Sequence, residues 1–466
     1  MAKSRELQAG TEVKAAAKAA QALKGAKGAR GSKGTPIPRR TWFLIIMLSL
    51  VGQIAWAIEN NFFNLFLQDV FGASLADVAL MVSASALTAT ATTLLVGAWS
   101  DRIGRRKAFI VVGTILWGLS IGIFAVLQNI SQSLAKDAAA AAALGITLTI
   151  VFDCVMTFFG STANDSTFNA WLTDITDDSN RGRVEGVNSS MPLLSMLAVF
   201  GGAMFLMVVG PDGTVTYNYP VFFAIIGALV LICGIITALL MEDSAPAPQT
   251  DRSYLADIAY GFKPASMREN RMLYLVLAAY CVFAVAMQVI MPYYVLYLRL
   301  PYILGESYVF VMAPCIVIAA VFTIIYGRRM DKAGFSKSIL IPLVLFLAGC
   351  AVLTFLTAAP AVFVGSMLML SGYLGAVACF GAEIRNNTPP DRVGLFQGIR
   401  IFMIVLIPML IGPWIGSAIS AGSASMVGFG VVGDGFTPSS LIFLGGAMVS
   451  LLTFAVLFAI SRAKRR

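Results

Sequence analysis

Gly97-Ala98-Trp99-Ser100-Asp101-Arg102-Ile103-Gly104-Arg105-Arg106-Lys107 sets one acid, four bases and a turn glycine between two long apolar runs. The chain must leave the hydrocarbon and re-enter it there, because a charged side chain at bilayer depth costs at least ~2.5 kcal/mol on insertion scales. The pattern returns as Gly327-Arg328-Arg329-Met330-Asp331-Lys332-Ala333-Gly334-Phe335-Ser336-Lys337. Gly97, Asp101, Arg102, Gly104 and Lys107 correspond to Gly327, Asp331, Lys332, Gly334 and Lys337 at a constant offset of 230 residues. An interval near half the chain length indicates two related halves.

With 58% apolar and only 12% charged residues in 466, the chain is no soluble globule, whose charged fraction is about a quarter. Apolar runs of roughly 18 to 28 residues, enough to cross about 30 Å of hydrocarbon, recur along most of its length without the alternation of barrel strands. A polytopic α-helical membrane protein is expected. The net charge of +9 does not indicate nucleic acid, because the bases sit in alternate loops. All of the 33 Lys and Arg except Lys136, Arg299 and Arg400 fall in the tails or in the loops after even-numbered helices. Bases gather on the cytoplasmic side, so twelve helices with both termini cytoplasmic, in the cell membrane, are predicted.

The helices are expected near 42–68, 75–98, 108–128, 144–173, 184–209 and 219–241 in the first half, and near 272–297, 306–327, 338–358, 361–384, 396–420 and 438–461 in the second. Residues 1–40 form a basic, disordered cytoplasmic tail. Residues 41–241 and 272–461 are the two six-helix bundles, 242–271 the cytoplasmic linker with an amphipathic piece from Tyr254 to Phe262, and 462–466 a short cytoplasmic tail. The six cysteines lie within apolar runs with no CxxC spacing, as small core residues do. With no histidine, and no nucleophile-base pair, metal cluster or phosphate-binding glycine loop, neither an enzyme nor a metal or other cofactor is indicated, and proton coupling must fall to carboxylates.

The Gly-x-x-x-Asp-Arg-x-Gly-Arg-Arg-Lys element and its copy resemble the signature loop of the major facilitator superfamily. That resemblance covers nearly the whole chain after the tail and implies two six-helix bundles rocking about a central site. It also implies a gate in which Gly97, Asp101, Arg102, Gly104, Arg105, Arg106 and Lys107, with Asp331, Lys332 and Lys337, lock and release one side. A basic turn obeying the charge rule would account for the bases but not for Asp101, the glycines or the copy. Gln53, Trp56, Ala57 and Glu59 resemble the helix 1 pattern of sucrose:proton symporters. Asp165 to Thr176 is similar to the end of helix 4 in the glycoside-pentoside-hexuronide:cation symporters, where Asp165 falls on the sugar-binding aspartate. The helix 2 acids that hold the cation in melibiose-type members align with Ala89 and Thr93, so a sodium site of that kind is not implied. The Gly-Pro element of drug antiporters is missing from helix 5; Gly412-Pro413-Trp414-Ile415-Gly416 stands in helix 11 instead and is expected to bend it.

At 100° per residue Gln53, Trp56, Asn60 and Asn64 share one face of helix 1, with Glu59 on its flank. An aromatic plate beside amides suits a sugar, whose ring covers the indole while its hydroxyls bond the amides. Asp165 and Asn169 lie one turn apart on helix 4. Gln288, Tyr293 and Tyr294 on helix 7 mirror the stripe, although tyrosines near helix ends also anchor at interfaces and asparagines also tie helices together. Glu59 and Asp165 are the candidate proton carriers, with Asp153 either a third or a helix-pairing acid; Glu383 and Arg400 are a candidate second gate pair. The expected partners are a small-molecule substrate, a sugar or glycoside, with the proton as coupling ion and the lipid bilayer, acting as a monomer by symport. An exporter of amphipathic compounds by proton antiport and a non-transporting nutrient sensor are the alternatives. For the signature loop, Asp101→Ala is expected to slow transport while leaving substrate binding intact; an unchanged turnover in liposomes would count against a gate.

Overall fold

A peptide group in hydrocarbon has no water to bond, so a spanning segment must satisfy its own backbone, as an α-helix does. The computed structural model describes residues 37–177, 180–209, 215–242, 260–389, 396–423 and 435–465. Among these, twelve helices are long and apolar enough to cross a membrane. They are α1 (Arg39–Phe71), α2 (Leu75–Ser100), α3 (Arg106–Leu134), α4 (Ala138–Asp174), α5 (Arg183–Met204) and α6 (Tyr219–Leu240), then α7 (Arg271–Leu298), α8 (Gly305–Gly327), α9 (Phe335–Phe355), α10 (Ala359–Asn387), α11 (Gly398–Gly422) and α12 (Leu441–Ala463). The fold is the all-α membrane architecture of two six-helix halves. Most of the expected tail, to residue 36, and the expected amphipathic piece from Tyr254 to Ala259 lie outside the described residues. Below, the end of the molecule carrying both termini is called proximal and the opposite end distal.

Local chemistry sets the helix ends. Ser74 and Asp77 form a capping box that starts α2, the serine side chain accepting from the Asp77 N–H and the aspartate from the Ser74 N–H. At the proximal end the helix that contains α2 runs to Ile103 and stops at Gly104, whose φ is 67°, a left-handed conformation that glycine adopts without strain. The copy behaves alike: the helix continuing α8 ends at Ala333, and Gly334 has φ 73°. The repeated glycines are therefore repeated helix stops. Helix 5, expected to reach 209, ends at Met204 instead, and the chain beyond it forms an antiparallel pair, β1 (Met207–Val209) with β2 (Val215–Tyr217). β-Branched residues at 208, 209, 215 and 216 favour that extended pairing over continued helix.

Within the first half α3 packs along α6 and α1 along α5; within the second α9 packs along α10 and α7 along α11 and α12. The halves meet through α2 with α11 and α5 with α8. The distal core of the first half is a cluster of rings, in which Phe63, Phe66, Phe124 and Phe223 lie with centroids 4.4 to 6.3 Å apart. Lipid tails are as apolar as leucine, so close backbone approach rather than hydrophobic exclusion holds such helices together. At α9 and α10 it is extreme: a Cβ on Gly349 would stand 2.3 Å from the Met369 nitrogen. Gly349→Val should force the pair apart, cost about 1–3 kcal/mol and lower the thermal unfolding temperature of the purified protein; no change would show that the helices are not in backbone contact.

Candidate functional site

The site is built where two helices depart from regular α geometry. In α1 residues Glu59–Phe63 form a π turn, and in α4 residues Ser161–Phe168 form a longer one. A third, Phe402–Leu406, lies in α11. Such wider turns are uncommon and concentrate at functional positions. The first contains Glu59, the second Asp165.

The extra residue per turn changes which side chains align. Gln53, Trp56 and Glu59 are half-buried, and the Trp56 ring lies 5.0 Å from Trp117. Asn60 is exposed and donates to the Trp56 carbonyl at 2.7 Å. Past the π turn Asn64 does not continue an even stripe: it is buried, and its amide donates to the Pro292 carbonyl of α7 at 3.0 Å. Constant 100° spacing holds only for an unbroken helix, which is why the sequence pattern placed it with Gln53 and Trp56.

Three acids gather here. Ser85 on α2 donates to Glu59 Oε1 at 2.7 Å; Thr157 on α4 lies 3.1 Å from the same oxygen and 2.8 Å from the Ser85 hydroxyl. Asp153, one turn from Thr157 and 1% exposed, is near enough to Glu59 to feel its charge, as is Asp165. Glu59 Oε2 and Asp153 Oδ1 are buried and take no hydrogen bond. Asp165 accepts from Ser161 at 3.0 Å and lies beside the Trp56 indole N–H. Asn169 turns its amide onto the Asp165 carbonyl at 3.0 Å. Among the ion pairs that the described residues show, none joins these acids to a base.

The second half contributes differently. Gln288 is half-buried, while Tyr293 and Tyr294 are fully buried. The Tyr293 hydroxyl lies 3.1 Å from the Leu75 carbonyl and 2.7 Å from that of Pro413, so it ties α7 to α2 and α11. The Gly412–Gly416 element presses on α7, where a Cβ on Gly416 would stand 2.3 Å from the Val289 carbonyl, and the Trp414 indole donates to Ser83 across the halves at 3.1 Å.

At the proximal end the side chains of Asp101, Asp331 and Lys332 lie outside those described, so the gate attributed to them stays an expectation. Arg102, Arg105 and Lys337 are exposed and Lys107 half-buried. Arg106 is the buried base: it pairs with Asp174 at the end of α4 at 3.0 Å and donates to Ser100 at 2.6 Å. Asp174 was visible in the sequence only as part of the stretch from Asp165 to Thr176; Glu383 is buried near the proximal end of α10, and Arg400 is half-buried at the start of α11.

The distal end holds a cluster that the motif search missed. Arg299, just beyond α7, pairs with Asp69 of α1 at 2.7 Å and with Glu306 of α8 at 2.9 Å. Tyr219 donates to Asp69 at 2.5 Å, and the Tyr217 and Tyr308 hydroxyls meet at 2.8 Å. Burial works against the Arg299 charge, but Asp69 foremost, with Tyr219 and Glu306, holds its proton more firmly than usual. Burial pushes Tyr217 up to about 12, so its hydroxyl stays protonated. The one signal in the sequence was Arg299 itself, a base on the side where bases are scarce.

The profile of the Major Facilitator Superfamily matches residues 42–413. Among solved structures, a bacterial homologue of the human lysosomal transporter Spinster, inward-facing and unoccupied, superposes with a TM-score of 0.64 at 16% identity, covering 92% of this chain and 98% of that one. A variant of the nucleoside transporter NupG gives 0.65 at 13% identity, covering 90% and 99%. At such identities the likeness concerns the fold. No curated protein sequence matches the chain significantly.

The distal cluster divides cleanly when the halves separate. On separation Asp69 would keep Tyr219 and Arg299 would keep Glu306, while the Asp69–Arg299 pair, the Tyr217–Tyr308 contact and the Arg299 guanidinium over the Tyr217 ring would part. Asp69→Asn should favour the distally open state by about tenfold, the worth of a charged hydrogen bond of about 1.5 kcal/mol. Glu306→Gln should act in the opposite sense, because opening then leaves Arg299 without an ionic partner. Distances between spin labels at Ser133 and Tyr302 report both, and identical distributions in the two variants would refute the division.

Proposed function

The chain belongs to the Major Facilitator Superfamily, and on that premise we propose that this multi-pass membrane transporter is a proton-coupled symporter of a sugar or glycoside. The observation that carries the reading is the group Glu59, Asp153 and Asp165: three acids beside two π turns, among which no ion pair to a base is seen. Acids so placed need cations to be held stably, and a cation that enters with the substrate supplies the coupling.

In this reading the termini are cytoplasmic and the distal end faces outside. The structure in hand is then closed outwardly by the Asp69–Arg299, Tyr217–Tyr308 and Trp414–Ser83 contacts. When these part, a proton reaches Glu59 or Asp165 along with the substrate. Trp56 offers a flat apolar face to a pyranose, and Gln53, Asn60, Asn169 and Gln288 offer amides to its hydroxyls. Neutralised, the loaded site crosses the closed state at lower electrostatic cost, and the bundles rock to open proximally. There the first-half knot of Arg106, Ser100 and Asp174 positions the signature loop.

The same acids support a second reading, antiport of an amphipathic cation, in which the organic cation rather than the proton neutralises the site before export. Counterflow in proteoliposomes separates the two: a sugar exchanged with the proton gradient favours the first, a hydrophobic cation exchanged against it the second. For the first, Glu59→Gln and Asp165→Asn should each abolish proton-driven accumulation, at least tenfold, while leaving the protein folded by thermal unfolding. Wild-type acid-stimulated uptake in both would sink it.

A further inference from the structure

The Glu59 cluster has more acceptor oxygens than donors. Ser85 and Thr157 bring two hydroxyl hydrogens, and their contacts, at 2.7, 2.8 and 3.1 Å, are made with Glu59 Oε1 and with each other. Glu59 Oε2 and Asp153 Oδ1 receive none, although both atoms are buried and Asp153 is 1% exposed. The Ser85 hydroxyl also bears on the Asp153 carboxylate, which lies within the field of Glu59, while Asp153 Oδ1 itself has no donor. A buried carboxylate oxygen with no donor costs more than any other polar group to hold. Two such oxygens in one buried cluster mark a place for positive charge.

We propose that Glu59, Ser85, Asp153 and Thr157 form a site for one sodium ion, with Asp165 left to face the substrate. Hard cations take oxygen ligands, and four side-chain oxygens from α1, α2 and α4 converge here. Two of those four groups are neutral hydroxyls, a set poor in charge for a divalent ion. Three of these oxygens, Glu59 Oε1 and the Ser85 and Thr157 hydroxyls, lie only 2.7 to 3.1 Å apart, a spacing that suits a small ion better than potassium. The donor set differs from one built on helix 2 acids, since α2 contributes a serine. One sodium leaves one negative charge on the pair, and here the inference rests on the proton-coupling reading: the second charge is met by the coupled proton.

The test is sodium binding to the purified full-length protein in lipid nanodiscs, in an alkaline buffer whose ionic strength is held constant with potassium. Retention of radioactive sodium and the thermal unfolding temperature are followed together. The expected result is one saturable sodium site per chain and a stabilisation by sodium that potassium does not give. Binding should weaken by about tenfold or more in Asp153→Asn, Thr157→Val and Ser85→Ala. The two hydroxyl variants remove no charge and keep the test decisive where Asp153→Asn does not fold. Equal effects of sodium and potassium on the wild type, unaltered retention in the folded hydroxyl variants, or saturation by calcium in place of sodium would each overturn the site. Absence of sodium binding beside intact proton-driven uptake removes this inference alone, whereas sodium binding without proton-driven uptake removes the proposed function and leaves the sodium site standing.

Discussion

A polar group placed in hydrocarbon must find its partner inside the protein, and most of this structure follows from that constraint. It makes the spans helical and expels the bases to the loops. It also gives the few charges that stay buried a defined company. Arg299 is flanked by Asp69 and Glu306, and Arg106 by Asp174 and Ser100. Glu59 and Asp153 have hydroxyls on one side and bare oxygens on the other. The first two arrangements are self-sufficient, and self-sufficient charges hold positions. The third is complete only with a cation, and that is the property expected of a site that loads and unloads.

How much of this the sequence disclosed depended on the range of the signal. Span number and the two halves rest on composition and on an eleven-residue repeat, both local or periodic, and Gly104 and Gly334 stand at matching helix stops as the repeat implied. The acids Glu59, Asp153 and Asp165 could be singled out because an ionisable residue in an apolar run is conspicuous by itself. What could not be read was their company. Ser85 and Thr157 are ordinary hydroxyls in apolar helices, and only the packing of α2 and α4 brings them to Glu59. The π turns were equally hidden, since no residue type requires one, and the contact of Asn64 with Pro292 could not be read from even helical spacing for that reason. Arg299 stood out by its side of the membrane, yet its partners come from 230 residues away and from seven residues on.

The two copies of the signature loop share their glycine stops but not their wiring. Ser336 occupies the place of Arg106, so the bond that ties α3 to the end of α4 in the first half has no counterpart from that position in the second. Sequence repetition therefore preserved the turn and let the electrostatics diverge. The acids show the same divergence: Glu59, Asp153 and Asp165 lie in the first half, where Gln288 and buried tyrosines occupy the corresponding helix of the second.

The short pairing of Met207–Val209 with Val215–Tyr217 bears on how the halves can move. It joins the end of α5 to the start of α6 and delivers Tyr217 to Tyr308 at the distal end of α8, while α5 itself also packs against α8. The first half thus meets α8 through two of its elements, α5 and β2. A body held in that way cannot glide along that helix or twist about it without losing both contacts at once. It can pivot, releasing the Tyr217–Tyr308 contact while the α5 contact serves as fulcrum, so the degree of freedom left to the two halves is a hinge-like swing rather than a piston stroke.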